Sequence, residues 1–164
     1  MTSCYNKIKA IGRQTGEGRQ PPVNIIRFMR RKTDSAFLYD YKTVAQALRF
    51  MRSHGYREIP VVSRDGVYRG VVDEGDFLWY LLDYGGYEAV KDHTLDALVR
   101  KGKCPALKIT ASDEQLKQAA LRSAFVPIVD DRSAFVGVVD RQDVLRYFVD
   151  LARQEQAAGG ETSC

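Results

Sequence analysis

IPVVSRDGVYRGVVDEGDFLWYL, residues 59–81, lies without a gap on VPIVDDRSAFVGVVDRQDVLRYF, residues 126–148. The offset is 67 residues, and nine of the 23 positions are identical. They are Pro60/Pro127, Val62/Val129, Gly70/Gly137, Val71/Val138, Val72/Val139, Asp73/Asp140, Asp76/Asp143, Leu78/Leu145 and Tyr80/Tyr147. Six of the other 14 pairs set apolar on apolar. Chance does not produce this in a chain of 164 residues, so an internal repeat organises the fold.

Each copy parses alike. Residues 59–62 and 68–72 are short β-branched runs, and the Asp65-Gly66 step between them is a strong hairpin signal. Both runs are apolar at nearly every position, so both faces should be covered. Asp73 is placed as an N-cap with Asp76 at the third helical position, opening a helix through Tyr84. Upstream, Val44, Ala47, Leu48 and Met51 form one helical face behind the cap Thr43, and His54-Gly55 ends that helix. Residues 35–39 read as an entering strand, and the second copy's leading helix is expected to be about a turn shorter. The unit is strand–helix–strand–strand–helix, about 50 residues, too small to bury a core alone. The fold class is α/β (α+β), two units around a pseudo-twofold axis.

The 45% hydrophobic and 28% charged content suits a soluble globular chain. The longest apolar run, 77–82, is far short of the roughly 20 residues that cross a bilayer, and no apolar segment follows the basic amino terminus as in a secretory signal. Three cysteines, at 4, 104 and 164, make no disulfide framework or zinc knuckle, which fits a reducing cytoplasm. The net charge of +4 is unevenly placed: residues 1–33 carry eight bases and Glu17, and the remaining chain carries 17 bases against 20 acids. The basicity belongs to a leader, read as flexible, and a basic tail without interleaved aromatics seldom specifies a partner, so nucleic acid is not expected as one. The expected division is a leader at 1–22, a first unit at 23–86, a linker at 87–104, a second unit at 105–152 and a tail at 153–164.

The helix followed by IPVV, the glycine of the second strand and the aspartate of the next helix resemble the cystathionine-β-synthase (CBS) domain. Two in tandem resemble a Bateman module, over about residues 24–150. The resemblance implies clefts between two units that take an adenine nucleotide such as AMP, ATP or cyclic di-AMP, with Asp76 and Asp143 holding ribose hydroxyls. It implies a first site near Lys32, Thr33, Ser35, Ala36, Arg57, Ile59, Pro60 and Asp73. The second would use Lys108, Thr110, Phe125, Val126, Pro127 and Asp140. A carboxylate suits two vicinal hydroxyls, and a helix N-terminus attracts phosphate. The alternative for Asp76 and Asp143 is that they only stabilise their helices.

One departure from the family pattern bears on ligand charge. Asp73 and Asp140 stand where members usually carry Thr or Ser, and two acids at i, i+3 repel a polyphosphate. Arg31 or Lys32 would compensate. The glycines at 12, 16 and 18 lack the strand and Lys-Ser/Thr of a phosphate loop. His54 and His93 have no metal-ligand spacing, and no nucleophilic set is present, so neither metal nor catalysis is expected. The second helices are apolar nearly all round, which points to a homodimer face. The expectation is a cytoplasmic nucleotide sensor, not an enzyme, that signals to an unnamed target protein. The rival is a ligand-free adaptor for protein or RNA.

Overall fold

The structure, a computed structural model, describes residues 25–100 and 102–158. The leader expected at 1–22 and the last residues of the expected tail, 159–164, lie outside them. The elements run α1 (Ile25–Phe28), β1 (Met29–Arg31), β2 (Leu38–Tyr39), α2 (Val44–His54), β3 (Glu58–Val62), β4 (Tyr68–Asp73), α3 (Glu74–Asp83) and α4 (Tyr87–Val90). They continue with β5 (Leu107–Lys108), α5 (Asp113–Arg122), β6 (Phe125–Val129), β7 (Phe135–Asp140) and α6 (Arg141–Ala158). Short 3-10 turns occupy Lys32–Asp34 and Leu95–Ala97.

The duplication is repeated in the hydrogen bonding. In each half a two-residue strand pairs parallel to the first strand of an antiparallel hairpin. Pro60 faces Val71 and Pro127 faces Val138, with the same irregularity one step later at Val61/Val62 and Ile128/Val129. Gly66 turns the first hairpin at φ +87°, a left-handed geometry that favours glycine. Ser133 takes the matching place at φ +64°, where the Asp130 carboxylate accepts from the Arg132 and Ala134 amides. The two tips meet: the Tyr68 amide donates to the Ser133 carbonyl and the Phe135 amide to the Gly66 carbonyl.

Helix starts follow local chemistry. Thr43 with Gln46, Asp73 with Asp76 and Ser112 with Gln115 each form a reciprocal capping box. Gly55 ends α2 at φ +70°. The leading helix of the second half is only one residue shorter, 10 against 11, rather than a turn. Each half has its own core: Val44, Met51, Ile59, Val61, Val72 and Phe77 in one, Leu116, Val126, Ile128, Val139 and Val144 in the other.

Segments that read as peripheral join these cores. Val90, Leu95 and Leu98, from the stretch read as a linker, are buried in the first core, and its His93 and Lys91 carbonyls accept from the first amides of α2. Residues 25–31, grouped by sequence with the first half, pack on the second. Ile25 is buried in the second core and β1 pairs antiparallel with β7, giving the orders β1–β7–β6–β5 and β2–β3–β4. The last helix continues through 153–158. Among the described residues no helix is long and apolar enough to cross a membrane.

Candidate functional site

The two halves leave a cleft of about 590 Å³. That lies within the roughly 300–1,000 Å³ typical of small-molecule sites. Asp34, Ser35 and Ala36 enter it ahead of β2, Gly55 to Arg57 come from the α2–β3 turn, Glu58 to Pro60 from β3, and Asp73 to Gly75 open α3. Across from these stand Ala124, Phe125, Val138 and Asp140 of the second half, with Arg30 of β1. The crossing of β1 therefore places a base from the start of the chain in a site otherwise built by two hairpins.

The electrostatics are acid-rich. Asp34, Glu58, Asp73, Glu74 and Asp140 line the cleft against Arg30 and Arg57. Arg30 stands 3.8 Å from Asp140, a loose pair. Burial pushes the Glu58 carboxyl up, and the charge of Asp73, its β3–β4 register partner, pushes the same way. At the other end Lys103 reaches both Asp73 and Asp76 at 2.6 Å. Burial pushes Asp73 up, but the Lys103 ammonium and the hydrogen bonds at the cap outweigh it and hold the carboxyl below its ordinary 3.8. Burial likewise pushes Lys103 down, and its two carboxylates more than reverse this, lifting it above 10.5.

A pH dependence follows from these directions. The depressed Asp73 contributes stability above its ordinary pKa, and that share is lost as pH falls through the folded value. The raised Lys103 contributes below its ordinary value, and its share is lost as pH rises through the folded one. The melting-temperature advantage of wild type over Lys103→Gln should therefore be full near neutrality and shrink below about pH 4. A gap that persists unchanged into strong acid in a thermal scan would refute the pairing.

The expected site residues separate into two groups. Ser35, Ala36, Arg57, Ile59, Pro60, Asp73, Phe125 and Asp140 are brought together around the cleft. Lys32, Thr33, Asp76, Lys108, Thr110, Val126, Pro127 and Asp143 do not line it. Lys32 turns its ammonium over the Phe37 ring at 5.2 Å, and Lys108 reaches Asp131 at 3.7 Å on the surface. Val126 lines a separate 210 Å³ cavity with Cys104, Pro105 and Phe125, while Pro127 is buried in the β6–β7 ladder. Thr33 and Thr110 are exposed. Asp143 meets Arg146 at 3.4 Å one turn along its own helix. The Ser35 hydroxyl donates to the Arg31 carbonyl at 2.8 Å and lies 3.0 Å from that of Arg30, so it braces the turn.

Arg100 and Lys103, which face Asp73 and Asp76, went unrecognised because they sit in the apparent linker. Their only local mark is positive charge. Tyr56, Glu58 and Glu74 also line the cleft without any motif to announce them. Among the described residues no group of three or more His, Cys, Asp or Glu is placed to hold a metal.

A profile of the CBS domain matches residues 25–83 and 108–150, more than half of the chain and both halves of the fold. The chain belongs to the CBS-domain family. It is a tandem CBS module, with paired hairpins related as the internal repeat requires. Among solved structures, CbpB of Listeria monocytogenes in complex with c-di-AMP is 20% identical at a TM-score of 0.71, covering 80% of this chain and 98% of that one. A second CbpB with c-di-AMP is 16% identical at 0.73, covering 82% and 90%. CBSX2 in complex with AMP is 18% identical at 0.62, covering 77% and 96%. At these identities the likeness is one of fold. No curated protein matches the chain by sequence.

Proposed function

We propose that this tandem CBS module is a cytoplasmic regulatory sensor, not an enzyme. It binds an adenine nucleotide of low negative charge between its halves and passes occupancy to a target protein. The observation that carries this reading is the 590 Å³ cleft, with Ile59, Pro60 and Phe125 as apolar walls, backbone at Ala36, and Arg30 and Arg57 within it. CbpB and CBSX2, which share the fold, are described as complexes with c-di-AMP and AMP. With Asp73 held by Lys103, the carboxylates of Asp34, Glu74 and Asp140 still outnumber the guanidiniums of Arg30 and Arg57, which selects against four phosphate charges more than against two.

The route from site to surface is short. Asp73 caps α3 beside the cleft, and that helix presents exposed Leu78, Trp79 and Leu82 further along. Asp140 precedes α6, which presents Leu145 and Val149. A ligand that favours one arrangement of the two helix starts changes the surface they carry, and the coupling equals its differential affinity for the two arrangements. We place a homodimer contact on that surface.

Thermal shift with AMP, ADP, ATP, NAD, S-adenosylmethionine and cyclic di-AMP tests the reading. AMP or cyclic di-AMP should raise the melting temperature at least as much as ATP in chelator. Asp140→Thr should improve ATP. ATP binding tightest in chelator, with the variant unchanged, would defeat the charge argument. If none of the six has an effect, the ligand-free adaptor is the better reading.

A further inference from the structure

The repeat makes the two ends of the module comparable residue by residue, and they are not alike. Met29 and Arg30 run past Gly137 on β7, and Val99 and Arg100 run past Gly70 on β4 in the same way. Asp34 lies four residues before β2, and Lys103 four before β5. Where one end places an acid in an open cleft, the other places a lysine on Asp73 and Asp76.

With that lysine in place every oxygen of the two carboxylates has a partner. Lys103 Nζ is 2.6 Å from Asp73 Oδ2 and 2.6 Å from Asp76 Oδ2. Asp73 Oδ1 accepts from the Asp76 amide at 2.9 Å, and Arg100 Nε is 3.3 Å from Asp76 Oδ1. The Asp76 side chain is 3% exposed. The Tyr68 hydroxyl fixes the next residue by donating to the Cys104 carbonyl at 2.7 Å. Beyond it lies the 210 Å³ cavity at Cys104, Pro105 and Phe125, against 590 Å³ at the other end. Among the described residues Asp143, the repeat partner of Asp76, has as its one ion pair the 3.4 Å contact with Arg146, and it is 31% exposed.

We infer that Lys103 is a resident counter-ion that closes the Asp76 end of the module, so that each chain takes one nucleotide, in the cleft lined by Arg30 and Arg57. The ammonium donates to the same carboxylates that ribose hydroxyls would need, and it is tethered to the chain, so a ligand there competes with an intramolecular partner. Lys103 thus fixes which end is open rather than touching the ligand that binds.

This inference rests on the nucleotide reading above. Calorimetric titration of the full chain with AMP should give one site per chain in wild type and in Lys103→Arg, and two in Lys103→Gln. Two sites in wild type, or one in Lys103→Gln, would overturn the counter-ion and leave the sensor reading standing. AMP binding to neither protein would overturn both. If Lys103→Gln does not fold, acylation of wild type with acetic anhydride carries the test. Lys103, 30% exposed, should stay less reactive than Lys108, 62% exposed, at saturating AMP. An Lys103 amine that AMP unmasks would overturn the inference.

Discussion

Replacing Gly137 with valine should lower stability by about 3 kcal/mol and release β1 from the second sheet. Gly137 sits on β7 with β1 on one side and β6 on the other. A Cβ there would meet the Arg30 carbonyl oxygen, with the Arg30 carbonyl carbon at 3.1 Å and Met29 Cγ at 3.0 Å. The obstacle is backbone, which cannot rotate away as a side chain can. The strand must move, and its register of Met29 on Val139, Arg30 on Val138 and Arg31 on Gly137 is lost. Ile25, buried in the second core, is pulled with it, and Arg30 leaves the cleft. Hydrogen exchange should show lost protection at residues 25–31, and AMP should no longer raise the melting temperature.

Gly70→Val supplies the comparison. At φ +149° and with Val99 Cγ1 2.7 Å from the added Cβ, it too is strained, but it disturbs the segment that carries Arg100 and leaves α1 docked. Wild-type melting and unchanged protection at 25–31 in Gly137→Val would show that the crossing is not held as described.

The crossing also marks the limit of what the sequence discloses. Asp73, Thr43, Gly55 and the Asp65-Gly66 turn act within a few residues of themselves, so their roles are legible from spacing alone. The pairing of Met29–Arg31 with β7 joins segments more than 100 residues apart and has no local period. Three residues with two arginines read only as part of the basic segment entering the first unit. Gly137 and Gly70 were visible as identities in the repeat, but a repeated glycine signals a close approach without naming what approaches.

The candidate site divides the same way. Ala36, Arg57, Pro60 and Phe125 were reachable because the resemblance fixes their place relative to a strand. Asp73 and Asp140 were legible as caps, and their repulsion of phosphate could be argued from charge. The neutralising lysine 30 residues away could not be found, since linker charges carry no periodicity. It changes the argument: Asp73 is a paired acid, so the repulsion left in the cleft comes chiefly from Asp34, Glu74 and Asp140, with Arg30 near the last.

Leu82→Glu should convert a homodimer to a monomer that keeps its fold. Leu78 and Leu82 lie at i, i+4 on α3, and Leu145 and Val149 lie at i, i+4 on α6, the matching positions of the repeat. All four are about half exposed or more, Leu82 at 65%, and Trp79 at 55% and Tyr84 at 56% extend the first pair. Equivalent helices thus present equivalent apolar pairs, and a surface with its own twofold symmetry suits an isologous contact with a second copy. The substitution leaves the core untouched, because Leu82 packs against little in the single chain. In the dimer it removes an apolar side chain worth about 2 kcal/mol and puts a carboxylate in its place, so dissociation should strengthen at least roughly 100-fold. Sedimentation should report a smaller species at an unchanged melting temperature for the monomer. A wild-type chain already monomeric at tens of micromolar, or a Leu82→Glu chain that sediments as a dimer, would refute this contact. Since α3 begins at Asp73 beside the cleft, a nucleotide that shifts the helix start should also shift the dimer dissociation constant, and by linkage dimerisation should shift nucleotide affinity by the same factor.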